Sequence, residues 1–542
     1  MSSLIARPGA AFGIYPEREA VPAGWLEQAS GRAVAGLRAA VLPWGDKIKP
    51  VVAEINYHSR RCAIASGKDI VDITEELRLQ LGRDGQTDSL ATAVFALVRE
   101  VCKRELMQRH SDQHLACGWA LFKGMLAEVE AGEDKSLAAL LPACTAALAG
   151  IPVHIITGDD YLAERDAYRM RPVFTTLGLS VGRVSEEMPL PHRCAAYRCD
   201  VTYGSARQFA TDYLQDRLLL QRSSGKLQLQ LERLNQQRPL CEQLRLQGLC
   251  FAIVDHAASN LVEEALTPLV LTDAQGSADR NDKESEILAR ISYPRFFRRY
   301  LKLCGMSGAL QELSAELRNM YDLEIYRVPL RQPSQRRFAA DQVFPDRASK
   351  RQAILDQVLE RHQLGQPVLV GTRNSADSEH LSQLFTAAGL PHQVLDSAQP
   401  SQAAVKMAGA GAPGSVTIAT HRDELGTDIA LGQQARELGG LHVILSERND
   451  AAYIDRQFSQ HCARRGEPGS VVAMLSLEDE LAGKFLPQSL RRLLVKFGLL
   501  GAAKLLRLAQ LRQQQIQARA RRDALGADRQ IEELLAFSGR KQ

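Results

Sequence analysis

The chain has 542 residues, more than one compact core usually holds, so two or three domains are expected. Hydrophobic residues make up 45% and charged residues 24%, as in ordinary globular proteins, and neither a signal peptide nor a continuous apolar membrane segment is predicted. The net charge of +4 is small and does not require nucleic acid or an acidic membrane surface as a partner. The ten cysteines include no CxxC pair, which favours reduced, mostly buried thiols in a cytosolic protein.

The first part of the chain is predicted to become helical. Residues 1–30 lack periodicity and are expected to be irregular, whereas residues 31–84 have a moderately polar helical pattern. Residues 88–109 predict a stronger helix. Its apolar face is formed by residues at helical spacing: Leu90, Val94, Leu97, Val98, Val101 and Leu106.

Short apolar runs then alternate with helical segments. The predicted strands are residues 152–157, 250–255, 323–328, 367–372, 415–420, 441–445 and 470–475. Continuous runs of this length suit buried parallel strands, and helices at 346–362 and 375–388 lie between some of them. The alternation predicts an α/β doubly wound architecture.

Three other segments divide the chain. Residues 273–285 are polar and predict an exposed linker, and residues 331–345 predict a second break between two α/β halves. After residue 480 the pattern is helical to the end. It includes an amphipathic segment at 493–510, which Lys and Arg interrupt, and a basic, Gln-rich segment at 508–522.

Residues 125–136 (MLAEVEAGEDKS) contain the first chemical motif. Gly132, Lys135 and Ser136 precede an apolar helical run, which is typical of a loop that holds phosphates with backbone N–H groups. Lys135 would reach the β- and γ-phosphates, and the Ser136 hydroxyl would be a ligand of Mg²⁺. Asp134 stands where glycine usually precedes the lysine, so the motif alone also fits a surface turn.

Longer motifs, in the same order along the chain, resemble those of the SecA family. Residues 109–115 resemble RHFDVQL, residues 131–136 resemble TGEGKT, and residues 159–166 resemble NDYLARRD. Further matches follow at 199–217, 263–271, 305–309, 426–429, 437–448 and 464–478. The resemblance extends from about residue 85 to residue 480.

The resemblance implies two RecA-like lobes of the P-loop NTPase, DEAD type, with ATP and Mg²⁺ between them. The implied domains are an N-terminal helical region (1–84), a first lobe (85–330), a second lobe (331–480) and a C-terminal helical scaffold (481–542). It also implies an exported protein and a membrane translocation channel as partners, and a cytoplasmic location that is peripheral at the inner membrane. No nucleic acid partner is clear, and the oligomeric state stays open.

Two parts of the family pattern have no counterpart in the sequence. The family's preprotein-binding insertion is missing near residues 273–292, and the C-terminal side lacks the helical-wing domain and the cysteine-rich zinc tail. The usual clamp for unfolded preprotein is therefore expected to be absent in that form.

Two residues of the first lobe depart from the family's nucleotide motifs. His114 replaces the glutamine that reads adenine, although histidine can still hydrogen-bond a base edge. Asp134 replaces the loop glycine, which would cost roughly 1–2 kcal/mol of strain if φ were positive. Its carboxylate would also repel phosphates at about 4 Å by roughly 4 kcal/mol, on the order of a thousandfold in affinity. The remaining expected ATP-binding residues are Gly132, Glu133, Lys135, Ser136 and, in the second lobe, Asp428.

The third departure follows a predicted strand. Asp255 is kept and would hold Mg²⁺ together with Ser136, whereas His256 stands where the family has the glutamate that polarises the attacking water. His256 is either a general base, since its unperturbed pKa is near about 6.5, or a polar residue that caps the strand end.

The last two departures remove arginines of the second lobe. Leu425 replaces the arginine of GRGTDI, and only Arg464 is kept from the arginines of QLRGRSGR, which corresponds to residues 457–464. Arg464 either stabilises the γ-phosphate or forms a structural ion pair, and the loss of an arginine finger costs roughly 10³–10⁵ in rate.

These departures predict a persistent fold with weak or no ATP hydrolysis. Three functions stay open: a minimal ATPase that moves a specialised export substrate, a non-catalytic scaffold or nucleotide sensor in a secretion pathway, and a helicase. The basic segment at 508–522 gives the helicase slight support, but it fits the charged face of a solvated helix better.

Overall fold

The computed structural model describes residues 15–18, 44–130, 132, 134–222, 244–272, 287–395, 400–420 and 429–537. The predicted linker at 273–285, residues 31–43 of the predicted helical region and most of the irregular first 30 residues lie outside the described residues.

Residues 44–105 form three helices: α1 (Trp44–Ile64), α2 (Gly67–Asp84) and α3 (Asp88–Glu105). α2 begins at a capping box in which Ser66 and Asp69 each accept the other's backbone N–H. α3 ends before residue 109 because Met107 has a φ of 55°, which no α-helix contains. Neighbouring helices surround α3, so all of its residues 91–102 except Ala93 are buried, rather than one face only.

The first unit is built on seven parallel strands flanked by helices. Strands up to residue 327 are β1 (Leu126–Glu128), β2 (Val153–Thr157), β3 (Val181–Arg183), β4 (Val201–Ser205), β5 (Phe251–Val254), β6 (Pro268–Thr272), β7 (Ile287–Ser292), β8 (Lys302–Ser307) and β9 (Ile325–Arg327). The sheet order is β3-β4-β2-β5-β8-β1-β9. Phe251 and Ile253 enter one hydrophobic core, and Ala252 and Val254 enter the other, so both faces of the sheet are covered.

The helices of this unit connect its strands. They are α4 (Asp112–Phe122), α5 (Lys135–Leu148), α6 (Asp160–Thr176), α7 (Leu190–Tyr197), α8 (Ala206–Arg222), α9 (Tyr293–Arg298) and α10 (Ser314–Tyr321). A π-helical turn (Ser259–Glu263) and two 3₁₀ turns (Glu264–Leu266 and Gln311–Leu313) complete it. β6 and β7 pair antiparallel with each other, and residues 273–286 between them lie outside the described residues.

The second unit repeats the parallel design. Its strands are β10 (Gln335–Phe338), β11 (Gln342–Phe344), β12 (Val368–Thr372), β13 (Gln393–Val394), β14 (Val416–Thr420), β15 (Leu441–Leu445) and β16 (Pro468–Ser476). Its helices are α11 (Arg347–Gln363), α12 (Ser375–Ala387), α13 (Pro400–Gly409), α14 (Gln433–Glu437) and α15 (Ala452–Ser459), with a 3₁₀ turn at Arg464–Gly466. The order is β10-β16-β15-β12-β14-β13, and β11 also pairs with β16.

All seven predicted strands are present, and the doubly wound α/β fold is confirmed. Residues 331–345, where a break between two α/β halves is predicted, include β10 and β11, which both pair with β16 of the second sheet. The pattern missed β1 because its three residues include the polar Glu128, which is buried through ion pairing rather than through apolar contact.

The C-terminal helices are α16 (Glu480–Phe485), α17 (Gln488–Lys496) and α18 (Ala502–Phe537). α18 contacts both units, since Leu506 enters the core of the second and Leu525 that of the first. Arg521 of α18 pairs with Glu316 of α10, with Nη2 3.0 Å from Oε2. No helix in the described ranges is both long and apolar enough to cross a membrane.

Candidate nucleotide site

The predicted phosphate loop connects the carboxyl end of β1 to α5, at the sheet edge where ligands bind in α/β folds. Gly132 has a φ of 105°, and a Cβ there would lie 2.9 Å from the Cβ of Arg464. Glycine is therefore required both by the backbone and by contact with the second unit. Lys135 and Ser136 are the first two residues of α5, where free backbone N–H groups favour anions. Glu133 lies outside the described residues.

The condition for backbone strain at Asp134, a positive φ, is not met, because its φ is −74°. Asp134 is the N-cap of α5, and its Oδ1 accepts the Leu137 N–H at 3.3 Å. Its Oδ2 pairs with Arg169 of α6, and Arg169 also donates to Gln108 at 2.7 Å. The Arg169 charge offsets the carboxylate, so the repulsion of phosphates expected from the sequence is reduced.

Ser136 is held by a buried carboxylate that the sequence reasoning did not single out. The Ser136 hydroxyl donates to Asp166 Oδ2 at 2.7 Å, and Arg165 Nε donates to the other oxygen at 2.9 Å. Both partners belong to the quoted 159–166 motif, which would have been the signal to find them.

Asp255 and His256 follow β5 at the same sheet edge. Asp255 is buried, and its Oδ1 accepts the His256 N–H at 2.8 Å. Burial alone would raise the pKa of Asp255, but His256 and Lys135 outweigh it and hold that pKa below its usual value. Asp255 therefore stays ionised close to Lys135.

His256 turns its ring toward this carboxylate. Its φ is 51°, an unfavourable conformation that often occurs at functional sites, and its Nδ1 lies 3.5 Å from Asp255 Oδ2. Within the described part of the chain this buried Nδ1 has no hydrogen-bond partner. The ring nitrogen Nδ1 is thus positioned beside the Asp255 carboxylate.

The oxygens of Asp255 and Ser136 suit Mg²⁺, which prefers oxygen ligands and keeps several waters. The ionised, buried Asp255 carboxylate fits such an ion, and the Ser136 hydroxyl keeps a lone pair when it donates to Asp166. The two residues would hold Mg²⁺, whose charge would stabilise that of the nucleotide phosphates.

The second unit reaches the phosphate loop through residues 461–465. Arg464 is buried, and its Nε donates to the Gln460 carbonyl at 3.0 Å while its Nη2 donates to His461 Nδ1 at 2.8 Å. Arg465 Nε donates to the Gly132 carbonyl at 2.8 Å. Arg464 is therefore near the loop, and two of its hydrogen bonds are made within its own unit. The sequence reasoning did not predict the Arg465 contact.

His114 lies in the first turn of α4. Its Nδ1 accepts the Ser111 N–H at 3.2 Å in a capping box, and its ring contacts His110 edge-on at 6.0 Å. Burial lowers the pKa of His110 to about 3, and His110 donates from Nε2 to the Leu137 carbonyl at 2.8 Å. His114 is thus linked through His110 to the first turn of α5. Leu425 and Asp428 lie outside the described residues.

Sequence reasoning also missed the ion pairs that join the two units beside the loop. Arg456 of α15 forms two hydrogen bonds with Glu128 of β1, at 3.1 and 2.9 Å, and one with Glu312 at 2.6 Å. Arg336 pairs with Glu130 at 2.6 Å. Nothing local in the sequence indicates these partners.

Two parallel sheets that meet at a phosphate loop, with a helix contacting both, define a protein of two RecA-like lobes of the DEAD-type P-loop class. The model of the SecA DEAD-like domain matches residues 43–284 and 280–318, and that of the SecA P-loop domain matches residues 333–436 and 432–501. The chain belongs to the SecA family.

Named relatives agree with this assignment. Protein translocase subunit SecA 2 of Bordetella avium is 35% identical over 88% of this chain and 91% of its own length. SecA 3 of Magnetococcus marinus is 34% identical over 86% of this chain and 89% of its own length. SecA of Nitratidesulfovibrio vulgaris is 31% identical over 84% of this chain but 66% of its own length.

Proposed function

We propose that the chain is a specialised SecA-type protein-export factor that binds ATP with Mg²⁺ and hydrolyses it slowly or not at all. The observation that carries this is the position of His256, whose ring faces Asp255 where the family has its water-polarising glutamate. A positioned base contributes roughly 10²–10⁴ in rate, so its loss or weakening slows turnover.

The second lobe supports the same conclusion. His461 stands where an arginine is expected and accepts a hydrogen bond from Arg464. The guanidinium that would stabilise the γ-phosphate is thereby engaged within its own lobe. Hydrolysis would require these bonds to break before Arg464 could reach the phosphate.

Binding, in contrast, is supported by the phosphate loop. Lys135 and Ser136 keep their places at the start of α5, and Arg169 offsets the charge of Asp134. We propose that Gly132, Glu133, Asp134, Lys135 and Ser136 hold the phosphates. His114 would contact the base and Asp428 would contribute from the second lobe.

The cellular role follows from the family. We propose an exported protein as cargo, a membrane translocation channel as partner, and a cytoplasmic location peripheral at the inner membrane. The proposed division is a helical region to residue 84, lobes at 85–330 and 331–480, and a scaffold from residue 481. The cargo must be held by a surface other than the missing clamp.

Titration calorimetry of ATP with and without Mg²⁺ tests the site. We expect ATP to bind the wild type only with Mg²⁺ and not to bind Lys135→Ala. Steady-state ATP turnover should be near background in the wild type and no lower in Lys135→Ala. Turnover of several per second that Lys135→Ala removes would instead show a working motor. Absence of binding would contradict the proposed nucleotide site.

A nucleotide sensor is the second candidate, because the second lobe contacts the loop directly through the bond from Arg465 to the Gly132 carbonyl. A sensor predicts that ATP changes the hydrogen-exchange protection of residues 461–465 without turnover. The structure adds no support for the helicase hypothesis. Arg521, one of the cations of the basic segment that would contact nucleic acid, already pairs with Glu316.

A further inference from the structure

The contacts of His114 determine which of its ring nitrogens carries the proton. The Ser111 N–H donates to His114 Nδ1 at 3.2 Å, and the Ser111 hydroxyl accepts the His114 N–H at 3.3 Å in return. A backbone N–H is always the donor, so Nδ1 must be unprotonated. The ring is therefore neutral in this arrangement, and its Nε2 carries the proton and acts only as a donor.

This ring lies beside the helix that follows the phosphate loop. Its edge contact with His110, and the bond from His110 Nε2 to the Leu137 carbonyl, link it to the first turn of α5. The His110 ring is 1% exposed, and burial lowers its pKa to about 3. His110 therefore stays neutral inside the protein, whereas the side chain of His114 is only partly buried and can meet a base.

Arginines engage the amide and carboxylate oxygens that lie close to His114 in the sequence. Gln108 Oε1 accepts from Arg169 Nη2 at 2.7 Å. Asp112 Oδ1 lies 3.5 Å from Asn56 Nδ2 and 3.7 Å from Arg99 Nη2. An amino group of a bound base would have to compete with an arginine for either oxygen.

Adenine and guanine differ in the partner that they require at position 6. Both bases have an acceptor at N7, but position 6 is an amino donor in adenine and an acceptor oxygen in guanine. A ring that only donates can bond N7 of either base or O6 of guanine, and it has no lone pair for the adenine amino group. A glutamine amide differs, because its oxygen has two lone pairs and could accept from the Ser111 N–H and the adenine amino group together.

We propose that His114 sets the base selectivity of the nucleotide site, so that the chain takes guanine nucleotides at least as readily as adenine nucleotides. The observation that carries this is the bond from the Ser111 N–H to Nδ1, because it uses the one acceptor of the ring. The inference rests on the nucleotide site proposed above and specifies which purines that site takes.

Titration calorimetry of the full chain with Mg²⁺ and either ATP or GTP tests this inference. We expect the dissociation constant for GTP to be equal to or below that for ATP. His114→Gln keeps the capping box, since glutamine is a usual residue at this position. It should shift the ratio of the two dissociation constants about tenfold in favour of ATP, because ATP gains one hydrogen bond at its amino group.

His380→Gln is the matched control. His380 is exposed on α12 of the second lobe, where its Nδ1 bonds the Ala376 carbonyl at 2.6 Å, so the ratio should stay as in the wild type. Thermal unfolding should show that both variants are folded, and the comparison of ATP with GTP on the wild type stands without them.

Two results overturn the inference while leaving the proposed ATP site intact. One is binding of ATP by the wild type about tenfold or more tightly than GTP. The other is a folded His114→Gln variant whose ratio of dissociation constants equals that of the wild type. If neither nucleotide binds the wild type, the proposed site itself is contradicted, and the inference with it.

Discussion

At the scale of single residues, Asp134 shows how a substitution that breaks a motif can be compensated in space. A carboxylate in a phosphate loop is unfavourable, but this one caps α5 and pairs with Arg169. The pair is partly exposed, so solvent screening reduces its strength. The local charge at the loop is nevertheless nearer to neutral than the sequence implies.

Arg169→Ala is expected to weaken ATP binding about tenfold, because the unpaired Asp134 carboxylate then repels the phosphates. Calorimetry measures the change. Asp134→Gly with Arg169→Ala is the control, and it should recover most of the lost affinity. Equal affinities for the wild type and Arg169→Ala would show that the pair does not tune the loop.

At the scale of elements, α15 is attached to β1 and the turn after β8 by polar contacts. Glu128 is buried and accepts the Leu310 and Gln311 N–H groups as well as two bonds from Arg456. Burial would raise the pKa of Glu128, but Arg456 and these backbone groups hold it below its usual value. Gln460 adds a bond to the Gly308 carbonyl at 2.7 Å. Charged and polar groups therefore join the lobes at this point, beside Ala451 and Tyr453 of the second lobe, which pack into a hydrophobic core of the first.

Arg456→Gln is expected to destabilise the protein by about 3 kcal/mol, because it leaves Glu128 buried without its cation. Urea unfolding at neutral pH measures this loss. The loss should shrink as the pH falls through the folded-state pKa of Glu128, since protonation removes the uncompensated charge.

Arg436→Gln is the matched control for that experiment. Its partner Glu467 lies in the same lobe, and the Arg436 side chain is 52% exposed. A pair of this kind contributes less than about 1 kcal/mol. Equal losses in the two variants would show that Arg456 is an ordinary surface cation.

At the scale of the whole molecule, buried histidines make stability depend on pH. Burial lowers the pKa of His154 to about 3 and, chiefly by the same cause, that of His442 to about 4. These rings stay neutral in the folded protein but become protonated in the unfolded chain below about pH 6.5. Their contribution to stability is therefore present above that pH and lost as the pH falls. Burial raises the pKa of Asp216 to about 6 and that of Glu447 to about 7. These two carboxyl groups therefore stabilise the folded protein more as the pH falls.

His154→Phe isolates one of these contributions. The ring stacks on Phe209 at 4.6 Å and its Nδ1 bonds the Tyr300 hydroxyl at 2.9 Å, so the variant is expected to be less stable at pH 7. Because phenylalanine does not titrate, the difference in unfolding free energy between the wild type and the variant should narrow by about 2 kcal/mol from about pH 7 to about pH 5. Urea unfolding across this range measures it.

Tyr300→Phe is the control, because it removes the same hydrogen bond but keeps the buried histidine. Its stability should fall with pH in parallel with the wild type. If the difference in unfolding free energy between the wild type and His154→Phe did not change over this pH range, His154 would be protonated in the folded protein at the lower pH.

Patterns among neighbouring residues were enough to predict the α/β fold, the positions of seven strands and the family. Buried parallel strands are continuous apolar runs, and the family motifs are contiguous segments, so both can be read from neighbouring residues. The same patterns also located Lys135, Ser136, Asp255 and His256 at turns that follow such strands or begin helices.

The tertiary structure alone decided how those residues are used. Arg169 lies 35 residues from Asp134, and Arg456 lies 328 residues from Glu128, so neither charge pair is visible in a local pattern. It also decided which leucines of α17 enter the core and which are exposed. Electrostatic interaction and burial depend on distance in space, and the packing of two lobes and a long helix sets that distance.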